Sequence, residues 1–488
     1  MFAVFLTSGL FLGWSLGAND AANVFGTAVG TRMISFKKAA IFCGIFVILG
    51  AVISGAGAAK TLGELGAVNA IAGAFVVALA AAVTVYWLTV LGYPVSTTQA
   101  IVGAIIGWDL FSGALIDYGS LEKIVLSWII SPILAAVFSA LLYKLIAHGI
   151  KRARIHMFQL DAMTRAGLLI AGIAGAYSLG ANNISNVVGI FVPISPFADI
   201  SFLGWFKLNG AQQLFLLGGV SIAVGTFTYG KKVMLTVGEG ITEMSPVAAL
   251  VAVLANAVVL FLFASQDLQS FLLGHGLPAF PLVPVSSSQA IVGSVIGIGL
   301  IKGGRGIRWR MLGEITGAWV ATPFVAVLIS FISLFILQNV FQQKTYIPVE
   351  YQVTAEAEQR IRAAGVRTDH LADLQKKTFP TASQFQKALS QRVTLNAREM
   401  SVVMSATEID RTMVTSQSVN RANGSALKDE RKRALQKLWG KTFEHRWQIE
   451  KALAELSPEW RMTPGDKEQN DKIMLDLDYV YRLIRSTQ

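Results

Sequence analysis

At 488 residues, 53% hydrophobic and only 15% charged, the chain falls well below the roughly 25% charged residues of ordinary soluble domains, and a mean hydropathy of +0.54 makes it a membrane protein by composition. Its net charge of +11 is no argument for nucleic acid, because in the hydrophobic part Lys and Arg gather in loops, where they act as topology signals. The single cysteine, Cys43, excludes an intrachain disulfide, and no Cys/His cluster offers metal ligands.

In chain order, hydrophobic segments fall at roughly 2–30, 37–57, 68–93, 94–110 and 121–147, then 166–192, 209–229, 246–266, 284–300 and 311–341. A spanning helix needs about 20 apolar residues. Segments 94–110 and 284–300 are short, begin with Pro and are studded with Gly, so they read as tilted half-helices or re-entrant hairpins. The first segment has no basic leader and is polar where a cleaved signal is apolar, so it reads as a retained transmembrane segment. Basic residues follow alternate segments. Arg32, Lys37 and Lys38 come after the first; Lys144, Lys151, Arg152, Arg154 and Arg165 after the fifth; Lys231 and Lys232 after the seventh; Lys302, Arg305, Arg308 and Arg310 after the ninth. Placing these loops in the cytoplasm gives ten crossings of the cytoplasmic membrane, with both termini periplasmic or extracellular.

Three pairs of stretches match across the chain. "SLGANDAANV" (Ser15–Val24) matches "SLGANNISNV" (Ser178–Val187), "PVSTTQAIVGAIIG" (Pro94–Gly107) matches "PVSSSQAIVGSVIG" (Pro284–Gly297), and "WIISP" (Trp128–Pro132) matches "WVATP" (Trp319–Pro323). The offsets are 163, 190 and 191 residues, in the same order. A unit of about five segments is therefore duplicated, and an odd number of crossings inverts one copy relative to the other. Inverted repeats with interrupted hydrophobic segments mark secondary transporters, with the site at the midplane. The expected fold is an all-α polytopic membrane protein, with broken or re-entrant helices and a helical soluble tail. Its divisions are a first transmembrane repeat (1–150), a basic cytoplasmic linker (151–165), a second repeat (166–341) and a polar, helical C-terminal domain (342–488).

Each Pro-led motif reads as a helix start. Pro suits a first turn, Ser or Thr after it caps the helix, and the unpaired N–H groups and dipole there attract anions. Ser96, Thr97, Thr98 and Gln99, with Ser286, Ser287, Ser288 and Gln289, would form a neutral cradle for a small oxyanion; the bland reading is packing and capping. Asp20 is an acid deep in a membrane segment, where an ionisable group costs roughly 2.5–3.5 kcal/mol and is usually functional. Asn19, Asp20 and Asn23, on Gly-flanked backbone expected to be unwound, offer oxygen ligands to Na+ or place a proton on Asp20. The alternative is that they merely bond between helices. A cation beside an anion cradle implies symport. The Gly26/Gly30, Gly103/Gly107 and Gly293/Gly297 spacings read as close helix packing.

"GANDAANVFGTAVGT", "GANNISNVVG" and the "PVS[TS][TS]QAIVG" pair resemble the inorganic phosphate transporter (PiT) family, over about residues 1–341. The resemblance implies a cation-coupled symporter of phosphate, some bacterial members moving sulfate, on an inverted-repeat helical fold with external termini. It implies that the Ser, Thr and Gln residues of the two Pro-led motifs touch the anion. Asn19, Asp20, Asn23, Asn182, Asn183 and Asn186 would line the cation and anion sites, with Na+ at Asp20, Asn23 and Asn186. The second motif in the family usually reads Gly-Ala-Asn-Asp; here Asn183 stands in the acidic position. One negative charge is missing, which would alter cation stoichiometry or the preference among oxyanions. Phosphate is the first expectation, sulfate or another tetrahedral oxyanion the second, and the coupling ion is Na+ or H+ with no resident cofactor.

Glu64 in "TLGE" and Glu239 in "TVGE" read as ordinary loop acids, and His148 and His156 as surface groups of a basic loop. In the tail, "RALQKLWGKTFEHRWQIEKALAEL" (433–456) has the spacing of one amphipathic helix, suited to a partner or to the contact of a homodimer. A passive anion channel, with less need of Asp20, is the reading from another class. A membrane enzyme is disfavoured because no nucleophile–base set or metal cluster is visible in the sequence. Besides the anion and the coupling ion, the expected partner is membrane lipid.

Overall fold

The computed structural model describes residues 2–66, 68–153, 155–197, 200–202, 206–234, 244–304, 307–375, 377–423, 425, 427–463 and 467–485. Arg154, Arg305 and Glu239, named above, and the side chain of Glu64 lie outside them. The chain forms two compact units. Met1–Phe111, Ile116–Ser195 and Gly210–Tyr346 make the first; Ser112–Leu115, Pro196–Asn209 and Ile347–Gln488 make the second.

In the first unit the apolar runs become helices, because a backbone in lipid has to bond to itself. They are α1 (Phe2–Gly30), α2 (Phe36–Ser54), α3 (Ala56–Leu65), α4 (Ile71–Val90), α5 (Thr97–Ser112) and α6 (Tyr118–Ala153). There follow α7 (Met157–Val188), α8 (Gly210–Thr228), α9 (Pro246–Ala264), α10 (Gln266–Gly274), α11 (Ser287–Ile301) and α12 (Trp309–Asn339). Among the described residues eight helices are long and apolar enough to cross a membrane: α1, α2, α4, α6, α7, α8, α9 and α12. The protein is a multi-pass membrane protein. Helices α5 and α11 have 16 and 15 residues; at about 1.5 Å per residue they fall short of the roughly 30 Å hydrocarbon core. Each follows a non-helical stretch that includes Pro94 or Pro284, as the Pro-led motifs predicted.

Several expectations are corrected. The backbone around Asn19, Asp20 and Asn23 is not unwound; α1 runs through it unbroken, and α7 does the same through the second motif. The flanking glycines serve close packing instead. A Cβ at Gly17 would overlap the Ile222 carbonyl of α8, and one at Gly180 the Val47 carbonyl of α2. Two short helices, α3 and α10, lie largely outside the hydrophobic segments because each is too brief for a clear apolar period. The basic stretch 151–165 is helical at both ends, α6 running to Ala153 and α7 starting at Met157, with His156 accepting from the Phe158 N–H as its cap. The Gly103 and Gly293 positions do pack closely, against the backbone of Pro323 and Pro132. Gly26 does not; a Cβ there would meet nothing nearer than Met234 O at 3.4 Å.

The second unit is not purely helical. Strand β1 (Ile200–Phe202) pairs antiparallel with β2 (Phe206–Leu208). β3 (Glu350–Gln352) lies between β4 (Thr378–Phe379) and β5 (Glu408–Ile409), and β6 (Thr412–Met413) pairs with β7 (Thr442–Phe443). Around them lie α13 (Ala355–Ala363), α14 (Ala382–Ser390), α15 (Ala397–Thr407), α16 (Ser416–Asn423), α17 (Asp429–Gln436), α18 (Arg446–Leu456) and α19 (Lys467–Arg485). The single amphipathic helix expected over 433–456 is therefore two helices with a strand between them. Gly440, at φ +77, turns the chain out of the helix, and residues 442–443 are taken up by pairing with 412–413. The unit is itself a tandem repeat. "KTFPTASQFQKAL" (377–389) answers "KTFEHRWQIEKAL" (441–453). In each copy the strand pairs with an earlier strand and leads into a helix. The earlier helices α13 and α16 each begin beneath a threonine cap, Ala357 N donating to Thr354 Oγ1 and Ser418 N to Thr415 Oγ1, both at 3.1 Å. Phe385 and Leu389 sit in one apolar core, and their counterparts Ile449 and Leu453 in the other.

Candidate functional site

The fourteen residues singled out in the sequence are all buried, none more than 5% exposed. Helix α1 presents Asn19 and Asp20, four and three positions before Asn23 and so each beside it on the helix surface; α7 presents Asn182, Asn183 and Asn186 in the same spacing. The starts of α5 and α11 supply the hydroxyls and amides. Ser96 and Ser286 cap these helices, each Oγ accepting the N–H of Gln99 or Gln289, at 3.3 and 3.2 Å.

The contacts come in reciprocal pairs. Within each half, the first asparagine holds the stretch that leads into the Pro-led helix. Asn19 Nδ2 donates to Val95 O at 2.9 Å and Asn182 Nδ2 to Val283 O at 3.1 Å, while Val285 N donates to Asn182 Oδ1 at 2.8 Å. Between halves, the last asparagine reaches across. Asn23 Nδ2 donates to Ser288 Oγ at 3.0 Å and Ser287 Oγ at 3.1 Å, and Asn186 Nδ2 to Thr98 Oγ1 at 2.9 Å. The hydroxyls cross back: Ser288 Oγ donates to Val95 O at 3.0 Å and Thr98 Oγ1 to Val285 O at 3.3 Å. Thr98 and Ser288, Val95 and Val285, Asn23 and Asn186 are the same positions of the two repeats, so the contacts between the halves are one arrangement used twice, whereas within the halves Asn182 donates to Val283 O, two residues before the match of Val95.

Asp20 and Asn183 are the one difference in charge between the two sets. Asp20 Oδ1 accepts from Asn19 Nδ2 at 2.8 Å, Asn23 Nδ2 at 3.3 Å and Ser288 Oγ at 3.4 Å. Charged acceptors make the stronger hydrogen bonds, and the Asn19 and Asn23 amides offset part of the cost of holding the acid there, Ser288 sharing its one proton between Asp20 and Val95 O. Asn183 Oδ1 accepts only from Asn186 Nδ2, at 3.1 Å, and its Nδ2 has no hydrogen-bond partner among the described residues. Thr97 Oγ1, Gln99 Oε1, Gln289 Oε1 and Asn186 Oδ1 are likewise buried without a partner. Buried polar atoms are normally satisfied, so this cluster suits a polar guest: donors from Thr97 and Asn183 for an anion, and amide groups from both glutamines.

Of the expected trio Asp20, Asn23 and Asn186, the first two share Ser288, whereas Asn186 donates to Asn183 and Thr98. Sequence reasoning missed the carbonyls of Val95, Val283 and Val285, since a main-chain acceptor leaves no mark in a side-chain motif. It also gave no role to Trp319, whose Nε1 donates to Pro94 O at 2.9 Å and holds the approach to α5. A second buried acid, Asp109 on α5, lies beside Gly66 and outside this constellation.

A membrane-spanning helical bundle whose most polar interior is assembled from two matched helix starts and two matched asparagine faces defines a transporter rather than an enzyme. A sequence model of the phosphate transporter family matches residues 16–330 and again 277–433. The chain is 30% identical over 323 residues to a candidate phosphate permease of Methanocaldococcus jannaschii, spanning 66% of this chain and 93% of that protein. It is 28% identical over 397 residues to a candidate phosphate permease of Thermococcus kodakarensis, spanning 66% and 94%. A solved structure described as the sodium-dependent phosphate transporter shares the fold with a TM-score of 0.54 at 22% identity, over 69% of this chain and 98% of that one. The chain belongs to the phosphate transporter family.

Proposed function

We propose that this protein is a secondary active symporter that carries inorganic phosphate across the cytoplasmic membrane on a Na+ or H+ gradient. The observation that carries the reading is the reciprocal constellation, in which each half's asparagine grips the other half's helix start. Such a site can exchange the roles of its halves, which suits two inverted repeats opening to opposite sides in turn. Ser96, Thr97, Thr98 and Gln99 with Ser286, Ser287, Ser288 and Gln289 hold the anion, and the unpartnered Thr97 hydroxyl and Asn183 amide donate to it. Asp20, Asn23, Ser288 Oγ and Val95 O offer a cation hard oxygen ligands, with Asn186 serving from the second half. The sodium dependence in the solved neighbour's name is the reason to test Na+ first.

A second substrate reading rests on Asn183. An amide donates to sulfate as readily as to phosphate, whereas an acid there would favour the protonated oxygen of phosphate. The deciding experiment is uptake of labelled phosphate and labelled sulfate into vesicles holding the purified protein, with Na+ and pH gradients imposed separately. Accumulation of phosphate above its external concentration under one cation gradient is the expected result. Equilibration without accumulation would make the protein a channel, and preferential sulfate accumulation would overturn the substrate assignment.

A further inference from the structure

A cavity of about 780 Å³ opens where the end of α1, the start of α2 and the early turns of α7 meet, lined by Arg32, Lys38, Arg165 and Lys231 and by the apolar Val29 and Leu169. No carboxylate is among its described lining residues. Arg165 is committed to the fold, its Nη1 donating to Met33 O at 2.8 Å and its Nε to Asp161 Oδ2 at 2.7 Å. The other three cations form no ion pair among the described residues. Arg32 stands at φ +58, just past the end of α1, with Arg32 N bonded to Val29 O and Met33 N to Ala28 O. Glycine is the usual occupant of this left-handed capping position, and a long cation kept in strained backbone points to work for its side chain. On the same helices Ile41 and Ile45 of α2 and Ile170 of α7 are exposed. The volume exceeds what a free phosphate needs and lies within the range of about 300–1,000 Å³ typical of ligand pockets. We propose that this pocket binds the phosphoryl headgroup of an anionic phospholipid, cations on the phosphate and apolar residues against the first acyl carbons.

The test is calorimetric titration of the full-length protein in neutral detergent with short-chain phosphatidylglycerol, with short-chain phosphatidylcholine and inorganic phosphate as separate arms. Phosphatidylglycerol binds at least tenfold more tightly than phosphatidylcholine, and inorganic phosphate does not displace it. Arg32→Gly and Lys231→Gln each weaken binding about fivefold, and together about 25-fold. Arg32→Gly suits the left-handed backbone and leaves the thermal midpoint unchanged or higher, so lost binding is separated from lost folding. Equal affinity for both lipids, unchanged binding in the variants, or displacement by millimolar inorganic phosphate would overturn the proposal.

A different observation carries a second inference, which rests on the alternating halves proposed above. The seam between α5 and α12 is closed by two side-chain bonds, Trp319 Nε1 to Pro94 O at 2.9 Å and Ser330 Oγ to Ala104 O at 2.8 Å. At the matching seam between α11 and α6, Trp128 Nε1 is buried without a hydrogen-bond partner among the described residues, and Ser139 Oγ turns back to Ala136 O of its own helix. Matched residues in matched places thus bond on one side only. We infer that Trp128 and Trp319 are positioning residues that trade roles, Trp128 closing on the Pro284 carbonyl in the opposite-facing state while Trp319 lets go.

Hydrogen exchange of the full-length protein, read at residues 94–104 and 284–294, tests this without any cation gradient, so its outcome is separate from that of the coupling experiment. Trp319→Phe shifts the ratio of the two states about 2- to 12-fold toward the opposite one, the worth of one buried hydrogen bond. It raises exchange at 94–104 and lowers it at 284–294. Trp128→Phe moves both segments the other way. If each variant loosens only its own segment, or both loosen together, the two tryptophans are merely structural and the inference fails.

Discussion

Asn183→Asp restores the acid that the second motif of this family usually carries, with almost no change in shape. Asn183 is buried, its Oδ1 already accepts from Asn186, and its Nδ2 lacks a partner among the described residues. The substitution therefore loses no existing bond and adds a charge. Asp20, its counterpart, has two amide donors on one oxygen and a share of the Ser288 hydroxyl proton; the new carboxylate would keep one donor. An uncompensated acid at this depth costs roughly 2.5–3.5 kcal/mol, which corresponds to a factor of about 60–300 in favour of any state that neutralises it. A bound cation is such a state. Phosphate uptake by the variant in vesicles, titrated with Na+ and with pH in separate series, should show an apparent cation affinity at least tenfold higher and a steeper cation dependence than the parent. Identical cation curves, with phosphate uptake intact, would refute the reasoning that a charge at this position is neutralised by the coupling cation.

Ser288→Ala removes the bond to Val95 O and an acceptor of Asn23, and Thr98→Val does the equivalent in the other half; at about 1–2 kcal/mol each, KM for phosphate should rise roughly 5- to 30-fold, and a variant with unchanged KM would remove its hydroxyl from the cradle. Gly293→Ala forces a methyl into the Pro132 backbone and Gly103→Ala into that of Pro323, whereas nothing lies within 4 Å of a Cβ at Gly313. Overpacking of about 1–3 kcal/mol should lower the thermal midpoint of the first two variants, while Gly313→Ala holds or raises it. In the second unit, burial first and then neighbouring Asp410 hold the Glu408 carboxyl above its ordinary range. The folded unit then binds that proton more tightly than the unfolded chain, so this stabilising contribution is full below the ordinary glutamate range and is lost as pH rises through the folded value. Glu408→Gln should flatten the fall of the thermal midpoint between pH 4 and pH 8 in calorimetry of the full chain; an unchanged slope would contradict the shift.

Much of the candidate site is legible in the sequence because its chemistry is local. Proline lacks an N–H, and serine next to it caps a helix, so Pro94 and Pro284 announced the starts of α5 and α11 with no knowledge of what they face. The tail was less legible. Its repeat, Lys-Thr-Phe followed by Gln and Lys-Ala-Leu, is present in the letters. A helical period running through 433–456 masked it, until Gly440 and the pairing of Thr442–Phe443 with Thr412–Met413 broke that period.

By itself the sequence determined that the chain lives in a bilayer, that it contains one design twice, and which polar residues were expensive enough to matter. Hydrophobic run length, proline and unpaired charge all act over a few neighbouring residues, so they can be read in one dimension. Only the tertiary structure decided that α1 stays helical through Asp20, that Asn23 meets Ser288 at a separation of 265 residues, and that Trp319 Nε1 is bonded while Trp128 Nε1 has no partner among the described residues. Those outcomes depend on which helices cross and how closely their glycines let them approach, and two nearly identical motifs carry no local signal of which one will hold its partner.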